Sequence, residues 1–468
     1  MSEHETYDYL VIGGGSAGLT GAIMAARLGA KVLLVDRERL GGDCLNTGCV
    51  PSKALIASAK SAHHARHAAD FGVGVSNVEV NFPKVMQRVQ AIQAEIGATE
   101  DEAALAKHEI DVAFGGARFT DANQAQIGSE RVVHFRFALI ATGSRPSPPP
   151  VAGMDEVDAL NTDSLWELSA LPRSLAILGG GPIGVEMGQA FQRLGSQVTI
   201  FERGERLLGR ADSDASAMVL DSLRDDGVEV RLNASVGKLE RDGEGTRVFV
   251  DGEGHTFDKL LVAVGRKANV EELGLEAAGV LTHARGVQVG EDLRTSQKHI
   301  YAAGDCTGGP QFTHWAEYEA RIATRNALFV GSDKRSLAIV PAVTFCDPEV
   351  AQVGLTEAQA KEKGLDVHVH RVDYSHVDRA LCDGTARGFA KVVVDDKERI
   401  LGAHLVGPLA GEALGEWVLA MEHGLKLSEV GGAIHAYPTY ARVNRRVDDE
   451  RFFAHGVSKW TTKLFSRF

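Results

Sequence analysis

Two cysteines separated by four residues stand in the run Gly41-Gly42-Asp43-Cys44-Leu45-Asn46-Thr47-Gly48-Cys49-Val50-Pro51-Ser52-Lys53. Thiols this close can form a disulfide that stores two electrons, or one that merely braces the fold. The chain has five cysteines in 468 residues, too few for a secreted disulfide framework. Cys306, Cys346 and Cys382 are scattered and read as ordinary buried thiols.

Two glycine turns carry the second kind of chemistry. Gly13-Gly14-Gly15-Ser16-Ala17-Gly18 lies between an apolar strand at 9–12 and a helical stretch at 19–28, and a strand at 31–35 then ends at Asp36. Gly179-Gly180-Gly181-Pro182-Ile183-Gly184 lies between a strand at 175–178 and a helix at 185–194, and a strand at 197–201 ends at Glu202. In both units the acidic residue follows the last glycine by 18 positions. Glycines allow a tight turn and let backbone amides approach a pyrophosphate, the helix N-terminus adds partial positive charge, and the carboxylate can accept from ribose hydroxyls. One such turn is weak support for a nucleotide site, whereas two in full strand-turn-helix-strand context are strong.

Three further strands run into small-residue turns: 137–141 into Thr142 and Gly143, 260–264 into Gly265 and Arg266, and 300–303 into Gly304 and Asp305. After about residue 341 the pattern changes to strands such as 391–394 and helices such as 411–423, a separate α+β domain. The expected fold class is α/β, with two Rossmann-like dinucleotide-binding domains and a C-terminal α+β domain. The expected boundaries are 1–146 for the first nucleotide domain, 147–269 for the second, 270–338 for a return to the first, and 339–468 for the last.

Bulk composition narrows the function. Fifty Lys and Arg against 63 Asp and Glu give a net charge of −13, which argues against a nucleic-acid partner. No apolar run approaches the roughly 20 residues that span a bilayer. The acidic start Met1-Ser2-Glu3-His4-Glu5 is unlike the basic start of a signal peptide, so a cytoplasmic location is expected.

The cysteine run resembles the redox centre of the FAD-dependent pyridine nucleotide-disulfide oxidoreductases, the family of dihydrolipoamide dehydrogenase, glutathione reductase and mercuric reductase. The two dinucleotide turns, Ala141-Thr142-Gly143, Gly265-Arg266 and Ala303-Gly304-Asp305 follow in the family's order, so the resemblance covers essentially the whole chain. It implies FAD at Gly13, Gly15, Ser16, Ala17, Gly18 and Asp36, Asp305 at the flavin's ribityl chain, and Gly42, Lys53, Thr142, Gly143, Gly265, Arg266 and Gly304 as further cofactor-binding positions. It implies a nicotinamide nucleotide at Gly179, Gly181, Ile183, Gly184 and Glu202. Cys49 would lie beside the flavin as a thiolate, aided by the positive end of a helix whose first turn holds Pro51. Cys44 would exchange with substrate. Lys53 would approach the flavin and pair with Glu186. A carboxylate at Glu202 favours NAD(H) over NADP, although Arg203 follows it. Relatives are homodimers whose C-terminal domain forms the interface and lends residues to the partner's site.

The C-terminal segment departs from that pattern. Dihydrolipoamide dehydrogenases carry His-Pro-Thr with a glutamate soon after, and the histidine is the general base. Here the run is His435-Ala436-Tyr437-Pro438-Thr439-Tyr440-Ala441-Arg442, which puts Tyr437 in the base's place and Arg442 in the glutamate's. A phenol, with an ordinary pKa of about 10, is a poor base at neutral pH; His435 is the other candidate. Mercuric reductases also lack that histidine, but they end in a cysteine pair, and no cysteine follows Cys382. The expected activity is therefore electron transfer between NAD(H), FAD, Cys44-Cys49 and a small or protein-bound dithiol or disulfide, a lipoyl group first. A metal or electrophilic acceptor, a diaphorase or oxidase, and a redox sensor are the rivals. The segment 455–468, with Trp460, Leu464, Phe465 and Phe468 among Lys459, Lys463 and Arg467, reads as packing on its own dimer, with membrane contact the alternative.

Overall fold

The computed structural model describes residues 5–329 and 333–455. The amphipathic tail and its apolar residues lie outside them. The chain divides into two compact units, Met1–Pro172 with Lys259–Ser336, and Arg173–Asp258 with Leu337–Phe468.

In the first unit the strands Glu5–Ile12 and Val32–Asp36 pair in parallel, Tyr9 opposite Val32 and Ile12 opposite Val35. Ile110–Phe114 extends the sheet beyond Val32–Asp36. On the other side Arg131–Ile140 pairs with Glu5–Ile12, and Ile300–Ala302 pairs with Arg131–Ile140, both in parallel. The central strands are covered on both faces and so read as unbroken apolar runs rather than alternations. Leu10, Leu33 and Ile140 fill one side, and Tyr9, Val11, Leu34 and Leu139 fill the other. The helix Ser16–Arg27 lies on the second side, where Ala22 and Ala25 are fully buried. It begins three residues before the periodicity suggested, because the turn's own Ser16 to Gly18 already have helical geometry.

In the second unit Ser174–Leu178, Gln197–Phe201 and Glu229–Arg231 are parallel neighbours, and the helix Pro182–Leu194 follows the first of them. An antiparallel meander, Val236–Asp242, Gly245–Val250 and Glu253–Phe257, turns at the two short Gly-Glu-Gly segments. The C-terminal part is a five-stranded antiparallel sheet built around Glu349–Gly354, Ile400–Gly407 and Phe389–Asp395. Fully buried Trp417, from the helix Ala410–Glu422, packs with its core. Among the described residues no helix is long and apolar enough to cross a membrane.

Candidate functional site

The two cysteines sit on separate helices. Gly41 and Gly42 take positive φ of 88° and 54°, a conformation a β-carbon disfavours, and the chain then enters the short helix Gly42–Asn46, which carries Cys44. After Thr47 and Gly48 it opens the long helix Cys49–Arg66 with Cys49 at the first position and Pro51 two residues on. A proline is tolerated there because first-turn amides have no intrahelical acceptor. Cys49 is exposed and Cys44 half-buried. Cys49 Sγ lies 3.6 Å from Thr313 Oγ1, at the first residue of the helix Thr313–Leu328. The positive ends of two helices therefore meet at the sulfurs. The hydrogen bond to Cys49 holds the proton on Cys44 and pushes that thiol well up; burial and the charge of Cys49 act in the same direction, and a Thr313 hydrogen bond opposes them. Lys53 is half-buried, one turn further along the same helix, with Nζ 3.4 Å from Ser52 Oγ.

The first glycine turn packs against backbone with no room for side chains. Gly13 has φ +108°, and a β-carbon there would lie 2.2 Å from the Ala141 carbonyl oxygen. One on Gly18 would lie 1.8 Å from Gly13 O, and one on Gly42 would lie 2.6 Å from Gly15 Cα. The redox run is thus laid directly on the turn. Asp36 accepts from the Gly14 amide at 2.7 Å through Oδ2 and from the Glu38 and Arg39 amides through Oδ1. Space is open beyond Gly143, where an added β-carbon would meet nothing within 4 Å, and Thr142 Oγ1 donates to Asn269 O at 2.5 Å. Gly304 takes φ +80° and gives its amide to Glu319 Oε2 at 2.7 Å. Glu319 is fully buried and ion-paired with Arg335.

Asp305 receives the Ser144 hydroxyl at 2.6 Å, and burial raises its carboxyl against that bond. Arg266 donates to Ser144 Oγ at 2.8 Å and Ser144 O at 2.9 Å, and ion-pairs with Asp43. Its guanidinium therefore ties the residue before Cys44 to the hydroxyl that holds Asp305. This linkage does not follow from the motif spacing. Asp43, adjacent to Cys44, offered the only local signal.

The second turn reproduces the first in the other unit. Gly179 has φ +105°, and a β-carbon on Gly184 would lie 1.9 Å from Gly179 O. Glu202 accepts from the Gly180 amide at 2.6 Å and the Gly204 amide at 2.5 Å. Gly181 faces open space, and Pro182 and Ile183 open the helix. Gly265, in the first unit, is also open, with φ +152°. Glu186 is buried on the helix Pro182–Leu194 and accepts from the Phe345 amide at 2.8 Å. Both turns thus present a glycine backbone beside a helix N-terminus with an acidic residue at the strand end, the donor and acceptor set a dinucleotide requires.

The C-terminal candidates separate in role. His435 Nε2 is 2.9 Å from Glu416 Oε1, and its Nδ1 is 3.0 Å from Ala433 O. Asn444 Nδ2 donates to Glu416 Oε2 at 2.8 Å, and Trp417 Nε1 donates to Asn444 Oδ1 at 2.7 Å. Both ring nitrogens of His435 therefore have partners within the C-terminal part. Tyr437 is exposed, under the Arg442 guanidinium at 4.9 Å from the ring centroid. Its hydrogen bond to Asp378, with that carboxylate's charge, pushes the phenol above its ordinary pKa. Of the scattered cysteines Cys306 and Cys346 are buried as expected, while Cys382 is exposed, because it ends a five-residue surface helix.

Comparison with known proteins agrees with this geometry. The description "Pyridine nucleotide-disulphide oxidoreductase" matches residues 7–320, and that family's dimerisation domain matches residues 340–446. A mercuric reductase of Lysinibacillus sphaericus is 38% identical over 94% of this chain and 82% of its own length. A dihydrolipoyl dehydrogenase of Geobacillus stearothermophilus is 36% identical over 93% of this chain and 94% of its own. The HOCl-induced flavoprotein disulfide reductase RclA of Escherichia coli superposes with a TM-score of 0.86 at 30% identity, covering 96% of this chain and 100% of that one. With nucleotide turns, redox run and C-terminal domain all matched, the chain belongs to the pyridine nucleotide-disulphide oxidoreductase family.

Proposed function

We propose that this chain is an FAD-containing, NAD(H)-linked oxidoreductase that works as a homodimer and reduces or oxidises a small or protein-bound dithiol-disulfide substrate through Cys44 and Cys49. The observation that carries this reading is the placement of Cys49 at the first residue of the long helix Cys49–Arg66, beside Thr313 and five residues after Cys44. Cys49 opens a long helix beside Thr313, and its hydrogen bond raises the Cys44 thiol. A helix N-terminus stabilises a thiolate, so Cys49 takes the charge and Cys44 takes the exchange. The first turn with Asp36, Thr142, Gly143 and Asp305 would hold FAD, which when bound supplies the two-electron link between a nicotinamide and the dithiol. Lys53 would add positive charge near it. The second turn would hold the nicotinamide nucleotide. Glu202, a strand-end carboxylate, suits the ribose diol of NAD and repels a 2′-phosphate.

A lipoyl group is the first substrate reading. A thiol-reactive electrophile or metal species is the second, favoured by one observation: Tyr437 stands where relatives carry their histidine base, and its hydrogen bond to Asp378 pushes the phenol above its ordinary pKa. The test is anaerobic titration with NADH, followed by alkylation and mass spectrometry of Cys44 and Cys49. Labelling of both after one equivalent is expected. Reduced flavin with both sulfurs still bridged would refute the electron route. Lipoamide, lipoylated protein, glutathione disulfide and mercuric ion are then compared as acceptors, with NADPH run beside NADH.

A further inference from the structure

We propose that Gln93 and Trp166 are positioning residues of the redox pair, holding the chain between Cys44 and Cys49 in the form that closes a disulfide and so favouring the bridged state over the dithiol. This rests on the dithiol-disulfide reading above. Neither residue belongs to the cysteine run or to a glycine turn.

The carbonyls of Leu45, Asn46, Thr47 and Gly48 lie between the two cysteines, and each accepts a hydrogen bond. Gln93 Nε2, on the helix Phe82–Gly97, donates to Leu45 O at 3.1 Å and to Asn46 O at 2.8 Å. Trp166 Nε1, in the short turn Leu165–Glu167, donates to Thr47 O at 2.8 Å. Gly48 O accepts from the Ser52 amide at 3.1 Å, at the start of the helix that Cys49 opens. The helix Gly42–Asn46 is too short to satisfy its own last carbonyls. Two distant side chains supply those donors.

The anchors are themselves fixed. Buried Phe82, Met86 and Val89 seat the helix of Gln93. Leu165, beside Trp166, is buried, and Asn161 Oδ1 accepts from the Asp163 amide at 2.7 Å and the Ser164 amide at 3.1 Å just before it. Within the run, Asn46 Nδ2 donates to Leu40 O and Gly42 O, each at 2.9 Å.

The direction of the effect follows from what a bridge constrains. With the donors removed, the disulfide still holds the loop in place, now with carbonyls short of partners. The dithiol, free of the bridge, relaxes until water reaches them. The hydrogen bonds are therefore worth more to the bridged state, and their loss moves the couple toward the dithiol. In that couple the Cys44–Cys49 bond breaks as the pair takes up two electrons and two protons from reduced dithiothreitol, whose own sulfurs close into a ring disulfide.

The experiment equilibrates the holoenzymes of wild type, Gln93→Met and Trp166→Phe anaerobically in graded ratios of reduced to oxidised dithiothreitol. Alkylation and mass spectrometry of the peptide carrying both cysteines give the midpoint, and melting temperatures are read for the oxidised and reduced forms. Methionine matches the length of glutamine and cannot donate. Gln93→Met should shift the equilibrium about tenfold toward the dithiol, a midpoint about 30 mV higher. Trp166→Phe, which loses one bond, should shift it about threefold. In both variants the oxidised form should lose more melting temperature than the reduced form, as linkage requires. A residue that only supports the fold would lower both melts equally and leave the midpoint unmoved. A midpoint that stays or falls in either variant would overturn the proposal for that residue. The dithiol reading fails separately, if NADH leaves the bridge intact while dithiothreitol opens it.

Discussion

Cys49 Sγ and Thr313 Oγ1 lie 3.6 Å apart although 264 residues separate them in sequence. A hydrogen bond from the Thr313 hydroxyl lowers the Cys44 thiol where burial raises it. Thr313→Val keeps the shape and removes the donor. A hydrogen bond to a charged group is worth about 1.5–3 kcal/mol, so alkylation of the reduced pair at pH 7 should slow by roughly 10-fold or more. Iodoacetamide kinetics read by mass spectrometry measure this, and an unchanged rate would remove Thr313 from the redox centre.

The paired turns predict separable losses. A β-carbon at Gly18 or Gly184 meets a backbone oxygen under 2 Å away, at 1.8 and 1.9 Å, and overpacking of this kind costs about 1–3 kcal/mol. Gly18→Ala should reduce flavin content on purification. Gly184→Ala should retain flavin and weaken nicotinamide binding by at least tenfold. Flavin absorbance per chain and NADH titration distinguish the two. Equal flavin loss in both variants would contradict the assignment of one nucleotide to each turn.

His435 supports structure through Glu416. Replacing it with Ala leaves Glu416 and the Asn444–Trp417 chain short of a partner, at a cost of about 1–3 kcal/mol. The melting temperature should fall while the midpoints of the pH-rate profile stay where they are. A vanished limb in that profile would make His435 an acid-base residue after all.

The remaining cysteines divide by burial. The Cys306 thiol is pushed up to about 12 by burial and by the charges of Glu319 and Asp305, and Cys346 is raised by burial and Glu186. Folded, both stay neutral at pH 8 and should resist alkylation for hours, whereas exposed Cys382 should label at once. A thiol raised above its unfolded value of about 8.5 contributes stability that is complete below that pH and is lost as pH rises towards the folded value. Thermal melts from pH 8 to 11 should therefore decline, and Cys306→Ala should flatten part of that decline. Rapid labelling of Cys306 in the native protein would show that the core opens.

What sequence alone determined is what short-range chain geometry determines. Gly13 and Gly179 announce their turns because only glycine takes φ near +105° at low cost. Asp36 and Glu202 follow because a strand of fixed rise returns the chain beside the turn it left. Cys44 and Cys49 are legible because Gly42 and Pro51 fix the backbone between and after them. The helix starts were read late, since residues inside a glycine turn have no apolar period to announce them. What the tertiary structure decided are the contacts between distant segments. Arg266 reaches Asp43 and Ser144, His435 is claimed by Glu416, and Thr313 touches Cys49. No local pattern encodes these pairs, because their strength depends on burial and on the approach of helices far apart in the chain.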